Sequence, residues 1–383
     1  MKKILFVQPK LEGVGGIEKV VPEVSSFLND NELVVNAFVL YGEIPAEQKF
    51  WQNVSTLKEG QSRGLLHKAI KSVARIMKLR NFVSKTKSEV LIVSAQGIAV
   101  LVLLGKKLGL IKIPVIVYVH ENLNVSGKMY YTLIKLLYRK ADGFISVSQG
   151  IKDELESELK IEKGRSILVY NSIPPAYLTA IRNPVSGEYQ EPVFVTASRL
   201  ERIKGVDILV SNFIRYAKEN SGTLLILGSG SLEKDLQEKV KASGLGERIV
   251  FLGAIDNVRP YLDRAVAYLS LAPSESFGLS LLEAMAREVP LVATDVPYGP
   301  REIMNVTRDK VLVYPYRNNY GYLLTSFTEN GKDNFYQHFS IALNKVKNNT
   351  FSKTKMRERA QFFSVEKQAT PLLALIDTLI EHE

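Results

Sequence analysis

Short β-rich runs alternate with amphipathic helical stretches along this chain, stop once near its middle, and then resume. That rhythm admits few folds. Lys3–Gln8, Leu33–Tyr41, Val90–Ser94, Pro114–His120 and Gly143–Val147 read as strands, with helical patterns between them, of which Ile17–Leu28 is the clearest. Strand–helix–strand units of this kind lay their strands parallel and cover the sheet with helices. Between Asn171 and Pro192 the pattern gives way to Pro174-Pro175, Asn183-Pro184 and Ser186-Gly187, a linker composition. Alternation restarts with Val193–Ala197, Thr223–Leu227, Arg248–Leu252 and Val266–Leu269, and is expected to finish with strands Leu291–Ala293 and Val311–Tyr314. A chain of 383 residues suits two cores better than one. The expected architecture is α/β, with two Rossmann-like doubly wound parallel-sheet domains facing across a cleft, residues 1–175 and 176–365. The amphipathic stretch Ser364–His382 packs on one of them, and pattern alone leaves open which.

Composition narrows the class. Hydrophobic residues make up 46% and charged residues 23%, an ordinary globular balance. There is no cysteine, so disulfides and thiolate metal sites are excluded. The opening Met-Lys-Lys-Ile-Leu-Phe-Val runs straight into a strand pattern without a signal-peptide core, and no apolar stretch reaches spanning length. A cytoplasmic protein, peripheral on the inner face of the membrane if it touches one, is the expectation. The net charge of +10 is uneven: residues 61–112 hold eleven Lys and Arg against a single acid, Glu89. Lys68, Lys71, Arg75 and Lys78 recur at helical spacing, with Leu66, Ile70, Val73 and Met77 on the opposite face. Such a helix either rests on an anionic membrane or is a solvated basic face. No recognised motif or aromatic interleaving points to nucleic acid.

The chemistry concentrates in the second half. Ser274-Glu275-Ser-Phe277-Gly278-Leu279-Ser-Leu-Leu-Glu283-Ala-Met-Ala follows a strand and opens a helix. Glu275 then lies in a loop at a strand's carboxyl end, where α/β sheets bind ligands. The backbone amides of Phe277, Gly278 and Leu279 favour an anion there. Glu283 sits two turns on, among apolar neighbours where a carboxylate needs a partner. One carboxylate can meet sugar hydroxyls and the other ribose hydroxyls, with a phosphate between. Arg199 and Lys204 follow the strand Val193–Ala197 and stand on the same sheet edge, two cations able to clamp a diphosphate. Gly228-Ser-Gly230 closes the next strand and would let backbone approach a phosphate or ribose. In the first half, Gly13-Val-Gly15-Gly16 opens a helix but lacks the third glycine of a dinucleotide fingerprint, because Glu18 stands in its place. His120, at a strand's end, is placed to contact a sugar hydroxyl or move a proton, unless it is simply structural. Glu18 and Glu121 are further carboxylates on that side. No aspartate stands two residues from another, and four scattered histidines offer no zinc site. The reading calls for no metal.

These blocks resemble glycosyltransferase family 4, a retaining group with the GT-B fold. Gly15-Gly16-Ile-Glu18, Ser198-Arg199-Leu200 with Lys204-Gly205, Gly228-Ser229-Gly230 and the Glu275-to-Glu283 block carry the match across nearly the whole chain. The resemblance implies that Arg199 and Lys204 bind the donor diphosphate, Glu283 the ribose and Glu275 the donor sugar, with His120 near the sugar's 6-hydroxyl. It also implies that the last helix, about 366–383, crosses back onto the first domain. Where many members carry Gly-Gly-Ile/Val-Pro-Glu, this chain has Tyr298-Gly299-Pro300-Arg301-Glu302, similar to bacterial surface-polysaccharide transferases that use UDP-hexoses.

The expected activity is retaining transfer of a hexose or N-acetylhexosamine from a nucleotide-sugar, UDP-linked by that variant loop. The acceptor is a lipid-linked, polysaccharide or protein group in cell-surface glycan synthesis. Two rivals stand beside it: a nucleotide-sugar epimerase of the same fold, and a catalytically silent subunit that binds a glycan or another transferase.

Overall fold

A computed structural model describes residues 1–11, 15–42, 50–57, 65–123, 128–327, 331–348 and 350–381. In chain order the elements are β1 (Lys3–Gln8), α1 (Gly16–Asp30), β2 (Val34–Val39), β3 (Val54–Thr56), α2 (Leu65–Thr86), β4 (Val90–Val93), α3 (Gln96–Lys107), β5 (Val115–Val119), α4 (Lys128–Leu137), β6 (Gly143–Ser146), α5 (Gln149–Ser157) and β7 (Ser166–Leu168). The second series runs β8 (Val193–Ala197), α6 (Val206–Ala217), β9 (Thr223–Leu227), α7 (Glu233–Ala242), β10 (Ile249–Gly253), α8 (Arg259–Arg264), β11 (Ala267–Ser270), α9 (Leu279–Ala286), β12 (Leu291–Thr294), α10 (Pro300–Ile303), β13 (Tyr316–Arg317), β14 (Gly321–Leu324), α11 (Gly331–Val346), α12 (Lys353–Phe362) and α13 (Val365–Glu381).

Contacts divide the chain into two units, Met1–Ser172 with Val365–Glu383, and Ile173–Ser364. The first holds a seven-stranded parallel sheet in the order β3-β2-β1-β4-β5-β6-β7. Its strands are buried on both faces, so β1 and β4 read as unbroken apolar runs rather than alternating ones. The last helix, α13, belongs to this unit and packs on α1, β4 and β7. Lys2 pairs with Asp377 at 2.7 Å, and Leu375 fills the space above Gly143.

The second unit repeats the plan with the order β10-β9-β8-β11-β12-β14-β13, parallel except for β13 against β14. Among the parallel strands of each sheet the order reverses once, between β1 and β4 in the first and between β8 and β11 in the second. These are the positions at which open α/β sheets take ligands.

Two expectations are corrected here. Val311–Tyr314 is not a strand: Val311 and Val313 are 92% and 86% exposed, and the sheet is closed instead by the buried β14. The alternation of valines there imitated a strand, but nothing apolar covers either one. The helix α2 also turns differently from its reading. Ile76 and Leu79 are buried, whereas Val73 and Met77 face outward and Lys71 and Arg75 are half-buried, Arg75 lying over the Tyr41 ring at 5.8 Å. Lys78 is exposed as expected; the side chains of Leu66, Lys68 and Ile70 lie outside the described residues. A periodic pattern yields two possible stripes, and the sheet took the other one.

Candidate functional site

The second unit's switch point carries the densest chemistry. The loop after β8 turns at Gly205, in a left-handed conformation (φ 62°), and a Cβ there would lie 1.9 Å from the Leu271 carbonyl at the end of β11. Glycine is the residue that permits this approach. It brings Lys204 across the switch point to Glu275, Nζ to Oε1 at 2.6 Å, with the two side chains 25% and 10% exposed. Tyr268 straps the same strands from beneath: its hydroxyl donates to the Ala197 carbonyl at 2.9 Å and accepts from the Ala197 N–H at 3.1 Å. Arg199, two residues on, is exposed on this edge.

Past Glu275 the backbone reaches Gly278, the left-handed N-cap of α9 (φ 96°), so the first amides of that helix point out of the loop. Phe277 is buried with its ring edge-on to Phe363 at 5.6 Å, which fixes the loop's path. Glu283 is 3% exposed on the second turn of α9. The Tyr177 hydroxyl lies close enough that burial and the Glu283 carboxylate together push its pKa up. Neither Tyr177 nor Tyr268 stands out in the sequence pattern, since each acts through a neighbour remote in the chain.

Gly228 and Gly230 are also required by packing. A Cβ at Gly228 would meet the Ser198 carbonyl at 1.9 Å, and one at Gly230 the Leu200 backbone at 2.6 Å. Both glycines let the loop after β9 pack on the loop that carries Arg199. Leu200 N–H donates to the Ser229 carbonyl at 2.9 Å, and Ser231 donates to the Glu201 carboxylate through Oγ at 2.7 Å and through its amide at 3.2 Å. Their visible role is to hold the arginine loop in place.

In the first unit, Gly15 is the N-cap of α1 with Glu18 folded back over it; a Cβ on Gly15 would touch the Glu18 carboxylate, while Gly16 has open space. An acid in the first turn suits the positive end of the helix. Gly13 lies outside the described residues. Glu121 is exposed, and its carbonyl accepts from Gln96 Nε2 at 3.4 Å.

His120 follows β5 with its ring 4.0 Å from the Tyr118 ring. Burial lowers its pKa to about 3, so it is neutral at physiological pH, suited to hydrogen bonding rather than to cycling a proton. Beside it stands a row that sequence reasoning missed. Gln8, Ser94 and Tyr118 each follow the paired Val7, Val93 and Val117, which puts them side by side at the first unit's switch point. All three are buried, and Gln8 Oε1, Ser94 Oγ, the Tyr118 hydroxyl and His120 Nε2 find no partner among the described residues. Buried polar atoms of this kind ordinarily hold water or a ligand group.

The neutral His120 carries a pH prediction. The unfolded chain gains a proton below its ordinary pKa of 6.5 that the folded chain refuses, so stability is lost as pH falls from about 6.5 towards 3 and is unaffected above that window. At pH 5 the loss is up to about 2 kcal/mol. Urea denaturation at pH 7 and pH 5 should show His120→Gln losing less stability over this interval than the parent, by that amount. An equal loss in both proteins would mean the imidazole is not held neutral.

Comparison with known proteins completes the site's context. The model described as Glycosyltransferase Family 4 matches residues 14–177, and that described as Glycosyl transferases group 1 matches 191–320. The chain is 30% identical over 213 residues, 53% of its own length, to the uncharacterized glycosyltransferase MJ1059 of Methanocaldococcus jannaschii, covering 52% of that protein. It is 25% identical over 68% of its length to the N-acetylgalactosamine-N,N'-diacetylbacillosaminyl-diphospho-undecaprenol 4-alpha-N-acetylgalactosaminyltransferase of Campylobacter jejuni, covering 66%. These matches span about half to two thirds of the relatives' lengths. Among solved structures, the lipopolysaccharide outer core galactosyltransferase WaaB in its apo form superposes with a TM-score of 0.71 at 18% identity, over 98% of this chain and 99% of that one. Two models follow one another along the chain, each over one of its parallel sheets, and they agree with the motifs: the chain belongs to glycosyltransferase family 4 and has the GT-B fold.

Proposed function

We propose that this glycosyltransferase transfers a hexose or N-acetylhexosamine, with retention, from a UDP-sugar to a lipid-linked, polysaccharide or protein acceptor in surface-glycan synthesis. The observation that carries the donor site is the Lys204–Glu275 pair at the switch point between β8 and β11, beside the N-terminus of α9. The similarity to the Campylobacter enzyme, whose name specifies an undecaprenol diphosphate-linked acceptor, supports the lipid-linked class of acceptor. The Tyr298-to-Glu302 variant loop supports the uridine nucleotide.

In this reading Lys204, Arg199 and the amides of Phe277 to Leu279 hold the diphosphate, Glu283 meets the ribose and Glu275 the sugar hydroxyls. The bond between the anomeric carbon and the diphosphate oxygen breaks as the acceptor oxygen bonds on the same face. The acceptor's proton passes to the departing phosphate oxygen, so no protein nucleophile is assigned. Charge grows on the leaving group, and cations preorganised around it stabilise the transition state more than the ground state. They supply the neutralisation that a divalent metal would otherwise give, so the reaction proceeds without one. A neutral His120 contacts a sugar hydroxyl.

Thermal melting against UDP-, GDP- and ADP-sugars and their free nucleotides, with and without EDTA, tests this. At a hundredfold excess over Kd a ligand stabilises by about 2.7 kcal/mol. The UDP series should raise the melting temperature, unchanged by EDTA. No shift with any nucleotide would overturn the donor-site assignment, and conversion of the bound sugar without acceptor would make the protein an epimerase.

A further inference from the structure

The first unit presents an unusual outer surface. Among the described residues it has seven large apolar side chains exposed, and six of them lie on three helices or at their ends: Val73 and Met77 on α2, Leu104 on α3 and Leu108 at its C-cap, Leu133 and Leu136 on α4. Val73 and Leu136 are each 57% exposed and Leu108 61%. The three helices pack side by side: Gly105 of α3 lies against Ile76 of α2, and Gly97 of α3 against Tyr130 of α4. Their outward apolar residues therefore belong to adjacent ridges of one surface. Scattered exposed leucines need no explanation, but their concentration on one face does.

Charge identifies the occupant. The sequences of α2, α3 and α4 contain no aspartate or glutamate at all. Lys78, Lys107, Lys135 and Arg139 are exposed among the apolar side chains. Lys106, by contrast, is engaged with Asp142 at 2.7 Å. The surface ends at α5, whose Asp153 and Glu156, with Glu158 at its C-cap, reverse the sign; Tyr131 of α4 donates to Glu158 at 2.6 Å along that border. A protein partner would need a matching acidic and apolar surface of defined shape. Apolar tips set in lysines and arginines, on three helices that carry no acid of their own, instead match a bilayer whose headgroups are anionic and whose interior accepts side chains of any apolar shape. Among the described residues no helix is long and apolar enough to cross a membrane, so contact would be from one side.

We propose that the outer face of α2, α3 and α4 docks this protein on an anionic lipid bilayer. Val73, Met77, Leu104, Leu108, Leu133 and Leu136 enter the interface, and the surrounding cations bind the headgroups. It keeps Lys78 from the arrangement expected from sequence, in which Lys68, Lys71, Arg75 and Lys78 form the contact, and adds the outward apolar residues of three helices. It does not depend on which sugar or acceptor the enzyme uses.

The test is co-sedimentation of the full chain with vesicles of phosphatidylcholine alone or with phosphatidylglycerol. The protein should pellet with the anionic vesicles only. Val73→Ser/Met77→Ser/Leu108→Ser/Leu136→Ser should weaken that binding at least tenfold and make what remains fully reversible by salt. Lys78→Glu/Lys107→Glu/Lys135→Glu should abolish it even at low salt, and both variants should keep the parent's melting temperature because none of these residues is buried. Failure of the parent to bind anionic vesicles at low salt would overturn the proposal, as would binding that neither variant alters. A dimer in solution that the serine variant dissolves, with no vesicle binding, would assign the face to a second copy of the chain.

Discussion

Lys204→Ala should lower transfer about 10³-fold while leaving the fold in place. Removing a single donor from a preorganised anion site costs about 10²–10³ in turnover. Lys204 is a full cation, placed in the proposal at the oxygen where charge develops, so the upper end of that range is expected. Its structural cost is small: the Lys204–Glu275 pair is partly exposed at 2.6 Å, and pairs of that kind contribute about 1 kcal/mol or less. Lys204 rests on Glu275, and in the proposed reading the diphosphate competes for the amine and leaves the carboxylate to the sugar. The variant is therefore predicted to lose kcat far more than it loses melting temperature. Steady-state transfer assays beside thermal denaturation separate the two. Turnover within tenfold of the parent would remove Lys204 from the leaving-group site. Glu275→Gln offers a contrast, since it keeps the shape and a hydrogen-bonding group while releasing Lys204, and should reduce donor use less severely.

Much of this site was legible because strand ends in a parallel sheet are easy to find. The runs Lys3–Gln8, Val193–Ala197 and Thr223–Leu227 coincide with β1, β8 and β9, since strands buried on both faces are apolar along most of their length. Once β8 and β11 are located, Lys204 and Glu275 must lie on one sheet edge. What could not be read depends on neighbours remote in sequence. Gln8, Ser94 and Tyr118 become a row only through the register of β1, β4 and β5. The spacing of Gly228 and Gly230 suggests backbone approach to a ligand, but it carries no sign that Ser198 on the adjacent loop also requires Gly228 to lack a side chain. The short β14, Gly-Tyr-Leu-Leu, was passed over for the more regular valines at 311 and 313, because alternation in sequence carries no information about what packs on top.

The segment between Asn171 and Pro192 has a linker composition, and Arg287 ties it to the second unit. This side chain caps the far end of α9, one turn beyond Glu283, with 1% of its surface exposed. Its guanidinium binds Asp263 in bidentate fashion, Nε to Oδ1 at 2.7 Å and Nη2 to Oδ2 at 2.8 Å. The remaining hydrogens go to main-chain carbonyls of the linker, Tyr177 at 3.3 Å, Thr179 at 2.8 Å and Ile181 at 2.7 Å. Arg182 joins the cluster from the same segment, pairing with Asp263 at 3.2 Å and Glu288 at 2.9 Å. One planar fork thus satisfies both a buried carboxylate and three carbonyls, a task no lysine can copy with three tetrahedral hydrogens. Breaking a buried pair from one side costs about 3–5 kcal/mol, because the abandoned charge stays buried. Asp263 keeps Arg182 and the Asn183 amide at 3.0 Å, which places Arg287→Ala near the lower figure, about 3 kcal/mol. For a unit of this size that is roughly 6–12 °C in melting temperature. Arg287→Lys should recover less than half of the loss, since charge returns but the fork does not. Tyr177 stands between this clamp and the Glu283 carboxylate, so both variants should also weaken nucleotide binding at temperatures where they remain folded. Melting curves with and without nucleotide measure both effects at once. A stable Arg287→Ala protein with unchanged nucleotide affinity would show that the linker holds its course without the clamp.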